Sequence, residues 1–362
     1  MRIIIFLFSL KFLKSQETSY TELCLAFNYT KINDEMAKNV GTQLSCHSQQ
    51  LIKIDLHLRT AYLGDNNLHS ILVGLSKCSL VEDLKLELIY NRLTSEGARQ
   101  IGKALSQLKN LKILQIDLDQ NEIDEHGISQ LLYGIQECQQ LTEVNLQLNE
   151  NKIKSQDTSF FTNQLQKLRN LKTFKLGLKC NYSALIGLQD LSGLGKALAQ
   201  SENVQFLKLD LSANKINNQI LNSLSLEICK MENLQSLQIE LNENQMTELN
   251  LGQVFERCQN LNQFKIRAIE NQIDSTGIIS FCQSFKKCYS LQILDFDLSY
   301  NQIRNEGISQ LAETILDLKN LRTLNLSLEY NFNDQFDEIY LKKLFIKKSQ
   351  LVKMRIVVFG LV

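Results

Sequence analysis

The sequence predicts an α/β fold in which a strand, a turn and a helix recur along most of the chain. Three observations predict it. A motif of about 30 residues is repeated, its first part alternates apolar and polar residues, and its second part places apolar residues at steps of three and four. Period two is typical of a half-buried strand, and steps of three and four put side chains on one helix face. The recurrence predicts a repeat array in which each repeat packs on its neighbours.

The register of the repeat is measured from its first apolar residue, which is position 1. Most position-1 residues are 30 apart, with exceptional spacings of 31, 33 and 27. This register covers residues 20–362 as a single array of eleven complete repeats and a partial twelfth, and residues 1–19 precede it. The position-1 residues are Tyr20, Leu51, Val81, Leu111, Leu141, Leu171, Val204, Leu234, Leu261, Leu291, Leu321 and Leu351.

Each repeat divides into a strand half and a helix half. Positions 4, 6 and 8 are apolar, as in Leu114, Ile116 and Leu118, whereas positions 5, 7 and 9 are mostly polar. After position 13 the period changes, as shown by Leu131 and Ile135 at positions 21 and 25. Because a helix separates successive strands, the strands should run parallel in one sheet. A helix is wider than the strand spacing of about 4.8 Å. The array should therefore curve into a horseshoe with the sheet on its concave face and the helices on its convex face.

Asparagine recurs at position 11, where each strand should end. Its amide both donates and accepts hydrogen bonds, so it can satisfy backbone groups in the bend. Stacked in register, these side chains should form a ladder. Thr30 and Ala61 are the two departures. The ladder residues are Asn91, Asn121, Asn151, Asn181, Asn214, Asn244, Asn271, Asn301 and Asn331.

The motif LxxLxLxLxxNxIxxxG, followed by L, L and C at helical spacing, resembles a leucine-rich repeat. The long helical half and the Gly at position 17 make it most similar to the ribonuclease-inhibitor-like subfamily. The resemblance covers residues 20 to about 358. It departs from the usual pattern in one way, since an extra alternating pair such as Asp117-Leu118 lengthens the strand. The resemblance implies a curved solenoid that binds proteins on its concave face, without specifying the partner.

Composition and motifs restrict the function. The chain has 39 basic and 39 acidic residues, so no net charge attracts it to nucleic acid or to a membrane. It has no GxxxxGKS or GxxxxGKT loop, no GxGxxG after a strand, no GxSxG and no HExxH. Acids at position 7 lie beside bases at position 5, which favours charge compensation across the sheet over a catalytic pair. We therefore expect no enzyme activity, no cofactor and protein partners.

The nine cysteines are expected to be free thiols. Four of them occupy position 28, on the inner face of the repeat helix, where a buried thiol acts as a small apolar group. The chain has only four His residues and no CxxC pair, so spacing predicts no metal site. These four cysteines are Cys78, Cys138, Cys258 and Cys288.

The first nineteen residues have two interpretations. The apolar run from Ile3 to Leu10 is short for a secretory signal, and no A-x-A cleavage site follows it. Leu10 and Leu13 fall where the helix of a capping segment would place them. We expect a cap and a cytoplasmic protein; secretion follows if residues 1–15 act as a signal.

The C-terminal segment is basic and ends in an apolar strand. Leu341 and Phe345 keep the helix register, which favours a structural role over membrane binding for LKKLFIKK. Met354, Ile356 and Val358 continue a strand that no later strand in this sequence covers. An apolar sheet edge is a pairing hazard, so we expect contact there with another chain, a second copy or a continuation of this one.

Two repeats depart from the common length. The 33-residue repeat at Leu171 contains several glycines, so Leu185–Leu194 should form a mobile turn before its helix. The 27-residue repeat at Leu234 should lose most of a helical turn. The lengths of these two repeats and of the one between them add to three standard repeats, so the strand register should be preserved.

The expected function is that of a non-catalytic protein-binding scaffold, inhibitor or sensor that acts through the concave face. The alternatives are the recognition part of a larger regulatory protein and a GTPase-activating protein of the Ran type, which uses the same repeat subfamily. That family tends to end in an acidic tail, whereas this tail is basic. Its catalytic Arg is not matched residue by residue in this sequence, so the resemblance to that family stops at the fold. Binding energy should concentrate in aromatic, Arg and acidic residues on or beside the face. These candidates are Tyr90, Asp117, Asp119, Phe206, Asp210, Glu240, Arg267, Asp297, Tyr300 and Tyr330.

Overall fold

The computed structural model describes residues 2–6, 21–153, 161–181, 190–331, 341, 344–345 and 351–357. The chain forms two compact units. The N-terminal unit comprises Met1–Ser155 and Ser159–Ser183, and the C-terminal unit comprises Gln156–Thr158 and Ala184–Val362. The predicted α/β class, with parallel strands alternating with helices in a repeat array, is confirmed in each unit.

The N-terminal unit contains strands of five residues that pair in parallel in sequence order, with a helix after each strand from the second to the sixth. Its described elements are β1 Arg2–Phe6, β2 Glu22–Ala26, α1 Asp34–Cys46, β3 Lys53–His57, α2 Gly64–Leu75, β4 Asp83–Glu87, α3 Ser95–Leu105, β5 Ile113–Asp117, α4 Glu125–Ile135, β6 Glu143–Gln147, α5 Thr162–Leu165 and β7 Thr173–Gly177.

The C-terminal unit follows the same plan, and its strands also pair in parallel in sequence order. Its described elements are α6 Ser192–Ala199, β8 Phe206–Asp210, α7 Asn218–Ile228, β9 Ser236–Glu240, α8 Gly252–Arg257, β10 Gln263–Arg267, α9 Ser275–Phe285, β11 Ile293–Asp297, α10 Asn305–Asp317, β12 Thr323–Ser327 and β13 Lys353–Val357.

The strand alternation creates one core face and one open face in each sheet. In β5, Leu114 and Ile116 are buried, while Gln115 and Asp117 are half-buried on the opposite face. Leu114 pairs with Val144, thirty residues on, so equivalent positions stack across repeats. A slip of one residue would turn every apolar side chain to the wrong face. We call the face that carries positions 5 and 7 the open face.

Helices α1 and α2, and helices α3 and α4, approach each other closely enough to exclude side chains. A Cβ at Gly74 would lie 2.0 Å from the carbonyl oxygen of Gly41. A Cβ at Gly134 would lie 1.9 Å from the carbonyl oxygen of Gly102. Only glycine permits such a backbone contact, so these residues set the spacing of the helix pairs.

The shortened repeat behaves as its length predicts. Helix α8 has six residues, whereas α7 and α9 have eleven, and this loss of more than one turn confirms the predicted shortening. Strand register is kept, since Leu237 still pairs with Phe264. Large aromatic side chains fill the core beside the short helix, and the Phe255 ring centroid lies 4.9 Å from those of Phe264 and Phe285. Of the predicted mobile turn Leu185–Leu194, the first five residues lie outside the described residues, whereas Ser192–Leu194 belong to the first turn of α6.

The two ends of the array add strands to the sheets. Strand β1 pairs with β2 through Arg2 and Glu22, while Leu10 and Leu13 lie outside the described residues. Strand β13 pairs with β12, and no described strand pairs with its other edge. Leu341 and Phe345 are buried, as the helix register predicts. In the described part of the chain, no helix has both the length and the apolar character needed to cross a bilayer.

Candidate functional site

The asparagines at position 11 join consecutive repeats where the strands end. Asn121 Oδ1 accepts hydrogen bonds from the backbone N–H groups of Asn91 and Leu93, both at 3.0 Å. Its Nδ2 donates at 2.9 Å to the carbonyl oxygens of Leu88 and Leu118. One side chain thus satisfies two donors and two acceptors of buried backbone, and leaving buried polar groups without a partner costs about 1–3 kcal/mol.

The same arrangement occurs in the C-terminal unit. Asn244 Oδ1 accepts from the N–H groups of Asn214 at 3.0 Å and Ile216 at 2.9 Å. Its Nδ2 donates to the carbonyl oxygens of Leu211 at 3.2 Å and Leu241 at 2.9 Å. The position-11 side chains are therefore occupied within the fold and are not the groups that a ligand would contact. Buried members are Asn91, Asn121, Asn151, Asn181, Asn214, Asn244, Asn271 and Asn301, and Asn331 is half-buried.

The residue before each ladder position has an unusual backbone conformation that the sequence did not reveal. The φ angle of the position-10 residue lies between 53° and 60° in every described repeat, from Tyr29 to Tyr330. This left-handed region costs a non-glycine residue about 1–2 kcal/mol. No glycine marks the position, so composition gave no signal. We call these residues the position-10 ridge: Tyr29, Thr60, Tyr90, Gln120, Glu150, Cys180, Ala213, Glu243, Glu270, Tyr300 and Tyr330.

In the N-terminal unit, exposed aromatic and guanidinium groups lie on the ridge and beside it. Tyr29 is 70% exposed and Tyr90 is 52% exposed. The Arg59 guanidinium lies 5.9 Å from the Tyr29 ring centroid, and that of Arg92 lies 5.6 Å from the Tyr62 ring centroid. We call these five residues the tyrosine–arginine cluster. Only Tyr90 among them was predicted from the sequence, although positions 9, 10 and 12 of neighbouring repeats could have indicated the others.

The ridge tyrosines are too exposed to serve only as covers of the asparagine bend. A tyrosine that only covered the asparagine bend would be mostly buried, whereas Tyr90, Tyr300 and Tyr330 keep large exposed areas. In the C-terminal unit, the rings of Tyr300 and Tyr330 stack with centroids 4.2 Å apart. Both units therefore present aromatic surface at the strand ends.

Two acidic candidates of the N-terminal unit have different surroundings. Asp119 accepts from the Asn149 N–H at 2.8 Å and from its Nδ2 at 2.9 Å, so it supports the bend. Asp117 lies on the open face and accepts from the Asp119 N–H at 3.1 Å. Burial, together with the nearby Asp119 and Glu87 carboxylates, raises the pKa of Asp117 to about 6. Asp117 is thus a carboxylate whose charge is costly in the absence of a cationic partner.

A polar cleft of about 520 Å³ lies on the open face of the C-terminal unit. It brings together two of the predicted residues, Arg267 and Asp297, which are neighbours across β10 and β11. Glu240 flanks Arg267 on β9, and the Arg267 side chain is exposed. The cleft is also lined by acids and bases in equal number, which suits a partner with mixed charges. Its charged lining comprises Arg267, Lys353, Arg355, Asp295, Asp297 and Glu329.

The remaining candidates of the C-terminal unit occupy separate places. Asp210 and Glu240 are cross-strand neighbours, and Glu240 Oε1 lies 2.9 Å from Lys208 Nζ. Asp297 accepts a hydrogen bond of 2.6 Å from the Ser299 hydroxyl. Phe206 begins β8, so it lies at the opposite end of the strand from the position-10 ridge.

The position-28 cysteines are poor nucleophiles. Cys78, Cys138, Cys258 and Cys288 are buried, and burial raises the pKa of each thiol to about 12. A thiolate is the reactive form of cysteine, so these side chains act as packing groups at neutral pH.

A second row of asparagines, which the sequence analysis missed, joins the repeats just before the strands begin. The Asn110 side chain donates to the Ser79 carbonyl at 2.9 Å, and that of Asn320 donates to the Tyr289 carbonyl at 2.7 Å. The recurring Asn before the position-1 Leu, as in LKNL and MENL, was the available signal. The other members are Asn170, Asn233 and Asn260.

Comparison with known proteins adds no identification. A scan against protein-family models finds no match for the chain, and a search of curated proteins also finds none.

Proposed function

We propose that the chain is a non-catalytic, protein-binding scaffold, inhibitor or sensor built from leucine-rich repeats of the ribonuclease-inhibitor-like type. The α/β repeat array, the recurring motif and the position-11 asparagines support the family proposal. The open face and the position-10 ridge supply surfaces that the fold itself leaves uncovered. Buried cysteine thiols are in keeping with a cytoplasmic location.

The observation that carries the proposal is the tyrosine–arginine cluster. Tyr and Arg are the residue types in which interface binding energy concentrates, together with Trp. Here they stand on backbone fixed by ladder hydrogen bonds, as with Tyr90, which directly precedes the buried Asn91. Such fixed side chains lose little conformational entropy when a partner docks. The charges of Arg59 and Arg92 favour a partner that presents carboxylates beside an apolar group.

The proposal is tested by capturing partners from the native source with the wild-type chain and identifying them. Binding of the purified partner is then measured by calorimetry with Tyr90→Ala and with Tyr133→Ala. Tyr133 is 60% exposed on α4 and provides a matched control away from the ridge. Tyr90→Ala should weaken binding at least tenfold, and Tyr133→Ala should leave it unchanged. Equal effects of the two substitutions would overturn the proposed surface.

The same purified chain can be used to test the alternative function. The GTPase-activating alternative requires that the chain accelerate GTP hydrolysis by a small GTPase, which single-turnover measurements detect directly. Faster hydrolysis, abolished by substitution of one exposed arginine, would replace the scaffold proposal. An unchanged rate together with saturable partner binding supports the scaffold.

A further inference from the structure

Three side chains with metal-binding atoms meet on the open face of β2 and β3. Cys24 Sγ, a carboxylate oxygen of Asp55 and a ring nitrogen of His57 all lie within 4.8 Å of one another. Cys24 and Asp55 are paired across the two strands, and His57 is two residues beyond Asp55 on the same face. Among the described residues, no other set of three or more Cys, His, Asp or Glu side chains brings its ligand atoms this close together.

The burial of this group is unusual for the open face. Cys24 is 6% exposed and Asp55 is 7% exposed, whereas most open-face side chains are half-buried. The Lys53 ammonium lies 4.0 Å from Asp55 and also pairs with Asp83. Lys53 therefore supplies one positive charge that Asp55 shares with Asp83. A divalent ion bound among Cys24, Asp55 and His57 would add positive charge beside the buried carboxylate and would stabilise the thiolate form of Cys24.

A second observation concerns the orientation of the imidazole. His57 Nδ1 lies 2.5 Å from Glu87 Oε2 on the neighbouring strand, and Glu87 also accepts from Lys85 Nζ at 2.6 Å. The contact with Glu87 occupies Nδ1 and fixes the orientation of the ring, which leaves Nε2 as the ring nitrogen available to a ligand. Metal-binding histidines commonly have such a carboxylate on the nitrogen that does not bind the metal.

We propose that Cys24, Asp55 and His57 form a zinc site, with His57 binding through Nε2. Sulfur, nitrogen and oxygen donors together suit Zn²⁺, whereas Mg²⁺ and Ca²⁺ select oxygen ligands. Three protein ligands leave the fourth tetrahedral position open to water or to a partner's side chain. Spacing rules miss this site because its ligands come from two repeats and meet only through the parallel register. The site is independent of the proposed scaffold function.

The test uses the full chain, freed of any affinity tag and dialysed against a chelator. Zn²⁺ affinity is measured by competition with a chromophoric chelator, and Co²⁺ is added separately to report thiolate ligation by its charge-transfer absorption. The wild-type chain should bind one equivalent of either ion, with a thiolate-to-cobalt band. Cys24→Ser should abolish the band and weaken Zn²⁺ binding at least 100-fold. Cys46→Ser, at an exposed cysteine of α1, is the matched control and should change neither.

Two further variants separate a zinc site from a structural hydrogen-bond cluster. Asp55→Asn should weaken Zn²⁺ binding strongly, and Glu87→Gln should weaken it about 10–100-fold while keeping the cobalt band. Circular dichroism establishes that each variant is folded. If Cys24→Ser does not fold, the wild-type titration and Asp55→Asn still decide the question. Absence of saturable Zn²⁺ binding, or equal affinities of Cys24→Ser and Cys46→Ser, would overturn the proposal.

Discussion

Asn121 accepts hydrogen bonds from the backbone of Asn91, thirty residues earlier, and Asn91 accepts in turn from the backbone of Ala61 at 3.0 Å. Each repeat is thereby tied to the one before it by a side chain rather than by the sheet alone. This series of side-chain bonds stops at Ala61, which has no side-chain amide to accept from the preceding repeat. The stability of the array should therefore depend on single asparagines.

Asn121→Ala should destabilise the chain by about 1–3 kcal/mol, because it leaves buried backbone groups without partners. Gln120→Ala, next to it on the exposed ridge, should cost under about 0.5 kcal/mol. Chemical denaturation of the two variants checks this difference. Equal free energies of unfolding would mean that the ladder bonds contribute nothing net.

Gly134→Ala should destabilise the N-terminal unit by more than about 2 kcal/mol. The added Cβ meets the backbone of Gly102 on α3, and a backbone carbonyl cannot move aside as a side chain can. Tyr133→Ala, the neighbouring exposed position on the same helix, is the control and should cost under about 0.5 kcal/mol. Thermal melts of both variants measure the contrast. Similar melting temperatures would show that α3 and α4 can separate freely.

Asp117→Asn should stabilise the chain at pH 7. The pKa of Asp117 is raised to about 6 in the folded chain, above its unfolded value, so the stability that it contributes at low pH is lost as pH rises through 6. Removing the charge should recover about 1–2 kcal/mol, less than the full shift implies because the side chain is partly solvated. At about pH 4, near the unfolded pKa, Asp117 is protonated in the folded chain and the gain should be small. If the gain in stability does not depend on pH, the effect of the substitution arises from packing and not from the loss of a charge.

Native thiol labelling should separate the cysteines by exposure. Cys46 is exposed and Cys180 is half-buried, whereas the other seven of the nine are buried. Cys46 should therefore react rapidly, Cys180 more slowly and the rest only after unfolding, when nearly nine groups should be titrated without reductant. Rapid reaction of Cys138, located by mass spectrometry, would contradict the buried position described for it. Recovery of three or fewer thiols from the unreduced, unfolded chain would instead favour secretion.

The parts of the structure that follow from a periodic pattern could be predicted from the sequence. Alternation identified the strands, and position 11 identified the asparagines that end them. Features set by backbone geometry were missed, such as the positive φ of Tyr90 and the helix cap at Asp124, whose side chain accepts from the Gly127 N–H at 3.0 Å. Contacts between repeats were also missed, because Cys24 and Asp55 become neighbours only when the strands pair.

The positive φ angles of the position-10 ridge predict that glycine substitutions there stabilise the fold. Gly adopts positive φ without strain, so Gln120→Gly should stabilise the fold by up to about 1 kcal/mol. Gln115→Gly, within β5, should instead cost about 0.5–1 kcal/mol, since an extended strand gains nothing from glycine. Chemical denaturation measures the change in the free energy of unfolding for each variant. Changes of opposite sign would establish that the ridge backbone is strained.

Tyr90→Gly then tests why side chains are retained at a strained position. If the ridge tyrosines contact a partner, this substitution should keep or raise the melting temperature while weakening partner binding at least tenfold. The strain at φ 56° is relieved, but the exposed ring that would bind is lost. Calorimetric titration and thermal melts on the same preparation separate the two effects. A variant that is less stable than wild type and binds normally would show that Tyr90 covers the bend and makes no contact with the partner.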